Sequence, residues 1–326
     1  MAGRMLALAA ACAATLGASA GAAHPAPAPS DPAMAMVNAG QCDRGCLVGL
    51  MDQVLAAMAA HAPERLPLRQ GVRYTENGQT LRPGDGLWGT AEGVGERHFY
   101  IADPRSGGVA FIGMIRESGR EVESFIRLKV EGRRISQIEA LVSRPTGMGA
   151  PAAQAGPGFV VRPIFTEPLA PADRRPRDEL VAVANSYFAG LEQATDKVTP
   201  FESDCGRTEN GMLTSNDPGA PRGSMQSLSC GAQFRTGFSR FITEVRGRRF
   251  PLVDEDRGLV LALVSFDHAG RLKTVKLADG STMKVPPPFD APFSFLMAEL
   301  FKIRAGRIAR VEAVIYTTPY AMPSGW

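Results

Sequence analysis

RISQIEALV at residues 134–142 and RIARVEAVI at residues 307–315 read as one strand written twice. Only Ser136 against Ala309 and Gln137 against Arg310 break the match in character. In the first copy an alternating stretch, 122–130, leads into the turn Glu131-Gly132-Arg133, so the strand closes a β-hairpin. The stretch 293–304 does the same for the second copy. A shorter match precedes these in the same order, YTENG at 74–78 and RTENG at 207–211. Two ordered matches point to a duplicated unit, and their unequal spacing places an insertion inside the second copy.

Working outward, each copy begins with a helix. Leu47, Leu50, Met51, Val54, Leu55 and Met58 trace one apolar stripe over 46–60, and Leu180, Val181, Ala184, Tyr187, Phe188 and Leu191 trace another. Extended segments follow at 72–81, 98–102 and 109–117 in the first half. In the second half they fall at 249–253, 259–266 and 272–277. Residues 146–176 are rich in proline and glycine around one apolar run, 159–165, and read as an inter-domain strap that partly packs.

The first residues predict export. Arg4, an uncharged apolar run over 5–20 and the small-residue patch Ala18–Ala23 make a cleavable signal over 1–23. A proline- and alanine-rich tether follows over 24–40. The predicted domains are then 41–145 and 177–326, joined by the strap. Of five cysteines, Cys12 falls in the leader, leaving Cys42, Cys46, Cys205 and Cys230. An even count in an exported chain favours the sequence-local disulfides Cys42–Cys46 and Cys205–Cys230, since residues four apart on a helix lie about 6 Å apart. A four-thiolate zinc site is the rival, with less suitable spacing. The net charge of +3 with 21% charged residues and no basic tract gives no support to a nucleic-acid partner. No later run is apolar for long enough to predict a membrane span after signal cleavage. Oligomer formation is left open.

A helix followed by a curved antiparallel sheet that ends in a long hairpin resembles the NTF2-like cone of the SnoaL and ketosteroid-isomerase superfamily, here in tandem. More specifically, CDRGCL at 42–47, TENGQTLRPGDGLWGT at 75–90, RRFPLVDEDRGLVLALVSFDH at 248–268 and the terminal PYAMPSGW resemble a largely fungal family of exported proteins of unknown function. The resemblance implies an α+β fold of two cone-shaped domains, each with helices packed on a curved antiparallel sheet and each with one apolar cavity. It also implies acid/base chemistry on a small hydrophobic molecule without metal or organic cofactor: a lyase, isomerase or hydrolase. A non-catalytic binding or scaffold protein is the alternative, because fold alone does not choose.

Polar residues near such a cavity are few. Glu76, Asp267 and His268 are the candidate catalytic groups, since a carboxylate or imidazole walled by apolar groups can be tuned toward neutrality. Asn77, Trp88, His98, Glu209, Asn210 and Trp326 are the candidate ligand-binding residues. Each has a plainer reading. Asn-Gly at 77–78 and 210–211 suits a tight turn, and Asp267-His268 precedes Ala269-Gly270 as a turn would. Strand alternation sends Asp267 and His268 to opposite faces, so at most one enters a cone. Trp326 after Pro323-Ser324-Gly325 is expected to dock in a pocket or across the domain interface. Gly84-Asp85-Gly86-Leu87-Trp88-Gly89 spells a dinucleotide fingerprint without the strand and helix it needs. The S-x-x-K at 281–284 runs straight into prolines that forbid its helix.

Overall fold

Period-two burial is what shapes this chain. In the strand Leu259–His268 the side chains of Val260, Ala262, Val264 and Phe266 enter one apolar cluster. Leu259, Leu261 and Leu263 enter another on the opposite face. A strand buried on both faces reads as a continuous apolar run, and LVLALVSF is one. The computed structural model describes residues 42–144 and 159–326. The predicted signal and tether, and most of the first part of the strap, lie outside the described residues.

The first half runs α1 (Arg44–Ala59), β1 (Leu68–Glu76), β2 (Gln79–Leu81), β3 (Ala91–Asp103), β4 (Gly108–Glu117), β5 (Arg120–Glu131) and β6 (Arg134–Ser143). A single helical turn, α2 (Pro163–Thr166), belongs to the strap. The second half runs α3 (Arg177–Gln193), β7 (Phe201–Glu209), β8 (Met212–Ser215), α4 (Cys230–Arg235), β9 (Glu244–Asp254), β10 (Leu259–His268), β11 (Thr274–Lys276), β12 (Thr282–Lys284), β13 (Phe293–Arg304) and β14 (Arg307–Thr318). The strand order is β2-β1-β6-β5-β4-β3 in one six-stranded sheet and β8-β7-β14-β13-β10-β9 in the other. These are the same order, with β11-β12 as a separate hairpin. In each sheet one pair, β1 with β6 and β7 with β14, is parallel, while the other pairs are antiparallel. The fold is α+β, with two sheets each packed by helices.

Local chemistry starts both helices. Asp43 accepts a hydrogen bond from the Cys46 amide at 2.8 Å, capping α1, and the Cys42–Cys46 disulfide closes the same turn. Asp178 and Glu179 occupy the first turn of α3, where negative charge complements the helix dipole. Most strands are longer than the sequence reading had them, β11 is shorter than the 272–277 expected, and β8, α4 and β12 fall where the sequence reading placed no element. β3 takes in Gly93 and Gly95, which reads as loop by composition. Asp267-His268 closes β10 as paired strand rather than forming a turn.

Both halves lie in one compact unit, Gly40–Trp326. One face of each sheet packs its own helix, and the other faces meet each other through Ile112, Phe125, Leu141, Leu261, Leu300 and Val314. Phe159 and Phe165 of the strap are buried in that shared layer. Ion pairs cross it as well: Arg249 to Glu139 at 2.5 Å, Arg177 to Asp103 at 2.7 Å and Arg44 to Asp254 at 2.8 Å. Among the described residues no helix is long and apolar enough to cross a membrane.

Candidate functional site

The repeated Thr-Glu-Asn-Gly segments end β1 and β7, and their asparagines do the same work in both halves. Asn77 and Asn210 take positive φ of 50° and 45°, the left-handed turn conformation that asparagine tolerates. The Asn77 side chain accepts from the Val142 amide at 2.8 Å and donates to the Val142 carbonyl at 3.3 Å. Asn210 does the same with Ile315, at 2.7 and 3.0 Å. Each asparagine therefore extends the parallel ladder beyond its strand, which is a structural latch.

The two glutamates beside them part company. The Glu76 carboxylate accepts from the Tyr74 hydroxyl at 2.9 Å and the Leu87 amide at 2.6 Å, and pairs with Arg144 at 3.0 Å. Gly86 holds φ +66°, and a side chain there would collide with Glu76. Arg144 also pairs with Glu117 at 2.7 Å. Burial disfavours the Glu117 carboxylate, yet the bonds from Arg144 and Thr90 outweigh that and hold its pKa below the usual range. Trp88 fills the space beneath, fully buried and edge-on to Tyr74 at 5.7 Å. The cavity expected of the first cone is thus occupied by its own side chains, with Trp88 as core rather than wall. His98 lies at the margin, its Nδ1 2.9 Å from the Gly95 carbonyl and its ring stacked on Phe111.

The second cone is open. Two connections much longer than their first-half counterparts, 82–90 and 118–119, build its mouth: 216–243, which carries α4, and 269–292, which carries the β11-β12 hairpin. The Cys205–Cys230 disulfide ties α4 to β7. Together with the sheet they enclose an apolar cavity of about 280 Å³, walled by Met225, Phe241, Phe266, Met283, Phe289 and Phe295 among others. Tyr187, Arg207, Glu209, Thr214, Gln233 and His268 supply its polar wall. Arg207 is the hub. Its Nε donates to Thr214 Oγ1 at 3.0 Å and pairs with Glu209 at 2.8 Å. Its other nitrogens donate to the Tyr187 hydroxyl and to Gln233 Oε1, each at 3.0 Å. Burial opposes the guanidinium charge, but the neighbouring Tyr187 and Glu209 keep its pKa raised.

His268 is buried among four phenylalanines, stacked on Phe293 at a centroid distance of 4.5 Å and bordered by Phe241, Phe289 and Phe295. Burial pushes its pKa down to about 4, with Asp267 opposing, so the imidazole is neutral at physiological pH. Its Nδ1 has no hydrogen-bond partner among the described residues. Asp267 points to the other face, as alternation requires, where it pairs with Arg246 at 2.7 Å and accepts from Ser294 at 2.5 Å. Below the cavity floor sits Glu299. It follows Phe295 and Met297 on the same face of β13, fully buried and with neither oxygen hydrogen-bonded. Burial and the Glu209 charge push its pKa up to about 8, although Arg207 opposes them.

The structure therefore brings together His268 and Glu209 from the sequence candidates. It places Glu76, Asn77, Asn210 and Asp267 in supporting networks. Trp326 docks across the two halves, its Nε1 donating to Thr75 Oγ1 at 2.8 Å and its ring 4.3 Å from the Arg73 guanidinium and 5.5 Å from that of Arg249. Tyr187, Arg207, Gln233 and Glu299 escaped the sequence reading. Two signals were present: Arg207 is where RTENG departs from YTENG, and Glu299 interrupts the inward series Phe295, Met297, Phe301. Among the described residues no cluster of three or more His, Cys, Asp or Glu is placed to hold a metal ion.

A family described as a domain of unknown function (DUF8021) matches residues 173–315, the half that holds the cavity. No curated protein matches the chain. Among solved structures, AusH from Aspergillus nidulans is similar at 14% identity, covering 43% of this chain and 86% of its own, with a TM-score of 0.27. LinA is similar at 14% identity, covering 44% of this chain and 89% of its own, with a TM-score of 0.25. A de novo designed protein with a curved β-sheet is similar at 14% identity, covering 31% and 88%, with a TM-score of 0.26.

Proposed function

We propose that the second cone is a cofactor-independent acid/base site acting on a small hydrophobic molecule, as a lyase, isomerase or hydrolase. One observation carries the reading: a neutral imidazole, His268, and a carboxylate, Glu209, line the same apolar cavity. A neutral imidazole can accept a proton from a bound carbon or oxygen acid. Glu209, held by Arg207, fixes the substrate or exchanges a proton with the opposite side of it. Tyr187 and Gln233 hold Arg207 in place, so the polar wall is preorganised before a ligand arrives. The first cone, filled by Trp88 and closed by Glu76, Arg144 and Glu117, supports a scaffold role for that half. Export of the chain belongs to the same proposal; the two disulfides favour an oxidising compartment.

Proton exchange tests the chemistry without knowledge of the natural substrate. In deuterated water, hydrophobic ketones and hydroxylated ring compounds should take up deuterium at an acidic position when the full chain is present, followed by mass spectrometry. Exchange should fall by about 10²-fold or more in His268→Phe, the size of a general acid/base contribution. No exchange across the panel, or exchange indifferent to that substitution, would overturn the reading.

A further inference from the structure

The segment that follows each closing strand crosses to the other half. After β6 the strap brings Arg162 to the second half, where it donates to Thr208 Oγ1 at 3.3 Å. After β14, residues 319–326 bring Trp326 to the first half, where its indole donates to Thr75 Oγ1 at 2.8 Å. Thr75 and Thr208 occupy the same position of the repeated Thr-Glu-Asn-Gly, so the two crossings are reciprocal. They are held differently. The strap buries Phe159 and Phe165 in the shared layer and runs on into α3. Residues 319–326 contain no helix or strand. Their grip on the first half rests on the bond from Arg73 to the Gly325 carbonyl, the Gln79 amide on Met322 Sδ, a close pass over Gly78 and the seat of Trp326. A side chain at Gly78 would collide with Met322, and Gly78 holds φ +81°.

That seat is made of cations. The Trp326 ring centroid lies 4.3 Å from the Arg73 guanidinium, 5.3 Å from that of Arg127 and 5.5 Å from that of Arg249. Arg127 from the first half and Arg249 from the second both pair with Glu139, so the indole covers the ion-pair group that joins the halves. The other end of the segment meets the second cone. The Ala321 amide donates to Ser294 Oγ at 2.9 Å, and the Met322 carbonyl accepts from Arg246 at 2.6 Å. Ser294 and Arg246 are the groups that hold the Asp267 carboxylate, and Asp267 directly precedes His268 at the end of β10. Ordering an irregular segment costs more than two hydrogen bonds return, so the contacts at Ser294 and Arg246 depend on the seating of Trp326.

We propose that residues 319–326 are a clasp between the cones: Trp326, seated on Arg73, Thr75, Arg127 and Arg249, holds the segment against Ser294 and Arg246 and so keeps the Asp267-His268 end of β10 closed. Occupancy of a seat on the first half thereby sets the order of a strand end that lines the cavity of the second, whatever chemistry that cavity performs. Amide hydrogen exchange followed by mass spectrometry tests this on the full chain. In Trp326→Ala the amides of 266–268 and 293–296 should exchange about tenfold or more faster, as local opening allows, while α1 and α3 keep the parent rates. Trp326→Phe keeps a ring over the arginines but gives Thr75 no donor, and should fall between. Arg73→Ala, which leaves the indole in place, should show the same pattern more weakly. The chain has four histidines, so the ring signals of His268 can be followed by NMR, and they should shift in Trp326→Ala. Parent-like exchange at 266–268 and 293–296, or faster exchange confined to 319–326, overturns the proposal. So do His268 signals that stay where they are in the parent. Faster exchange throughout α1 and α3 overturns it as well, because Trp326 would then hold the whole fold rather than one strand end.

Discussion

The two cones share a backbone plan and differ at three inward positions. Tyr74 and Arg207 each stand three residues before the latch asparagine. Ile126 and Glu299 each pair with the alanine of the closing strand, Ala140 and Ala313. Glu117 and His268 each end the strand before the central hairpin partner. In the first cone tyrosine, isoleucine and an arginine-paired glutamate leave a closed core topped by Trp88. In the second, arginine, a buried carboxyl and a neutral histidine line or underlie a cavity. The same fold is finished once with its interior filled and once with a cavity left in it. His268 and Glu299, buried with displaced pKa values and missing partners, lie at or beneath the cavity, whereas Glu123 and Glu312, which share those traits, are not part of its lining.

The contrast can be broken most severely at Trp88. Trp88→Ala should empty the first cone and cost about 3–5 kcal/mol in denaturant unfolding, the range for deleting a large buried side chain. A loss under 1 kcal/mol would mean that Trp88 does not hold that core. The latches test what the cones share. Asn77→Ala and Asn210→Ala each remove two hydrogen bonds and force alanine into positive φ, so each should cost about 2–3 kcal/mol, and by similar amounts. Unequal losses would show that one turn, rather than both, carries the ladder.

Glu299 sharpens the contrast through pH. Its folded pKa near 8 lies above the ordinary carboxyl value, so the native state binds this proton more tightly than the unfolded chain does. Its stabilising contribution is therefore complete below the unfolded value of about 4.3 and is lost as pH rises toward 8. Glu123 and Glu312, raised by burial to about 8 and about 7, add to the same slope. Glu299→Gln should make unfolding free energy less dependent on pH between 5 and 9. At the alkaline end it should be more stable than the parent. An unchanged slope would place Glu299 in contact with water or a partner. The smallest effect on stability belongs to His268. His268→Phe exchanges a neutral ring for another among phenylalanines and relieves an unpaired nitrogen, so thermal unfolding should move by less than about 1 kcal/mol equivalent. Proton exchange should nevertheless be lost.

The repeated hairpin and the Thr-Glu-Asn-Gly turns made the duplication legible, and with it the helix-then-strands succession in both halves; the order of strands within each sheet came from the structure. Asparagine before glycine has a local preference for the turn it occupies, so Asn77 and Asn210 were readable as turn devices. Alternation alone separated His268 from Asp267. The difference between Glu76 and Glu209 was not readable, since both lie in TENG. It depends on what the following segment brings: Leu87 and Arg144 to one, an open cavity to the other. Trp88 likewise looks the same in sequence whether it lines a cavity or fills it.

By itself the sequence determined the helix-then-strands order of each half, the twofold repeat and the faces on which strand residues lie, and it favoured the disulfide pairs; β8, α4 and β12 it did not give. These follow from short-range spacing, which backbone geometry converts directly into direction. Tertiary structure alone decided which cone is hollow, that Arg207 and Tyr187 meet Glu209, and that Glu299 lies beneath them without a partner. Those outcomes depend on distant segments competing for the same volume and the same hydrogen bonds, and no local pattern records who wins.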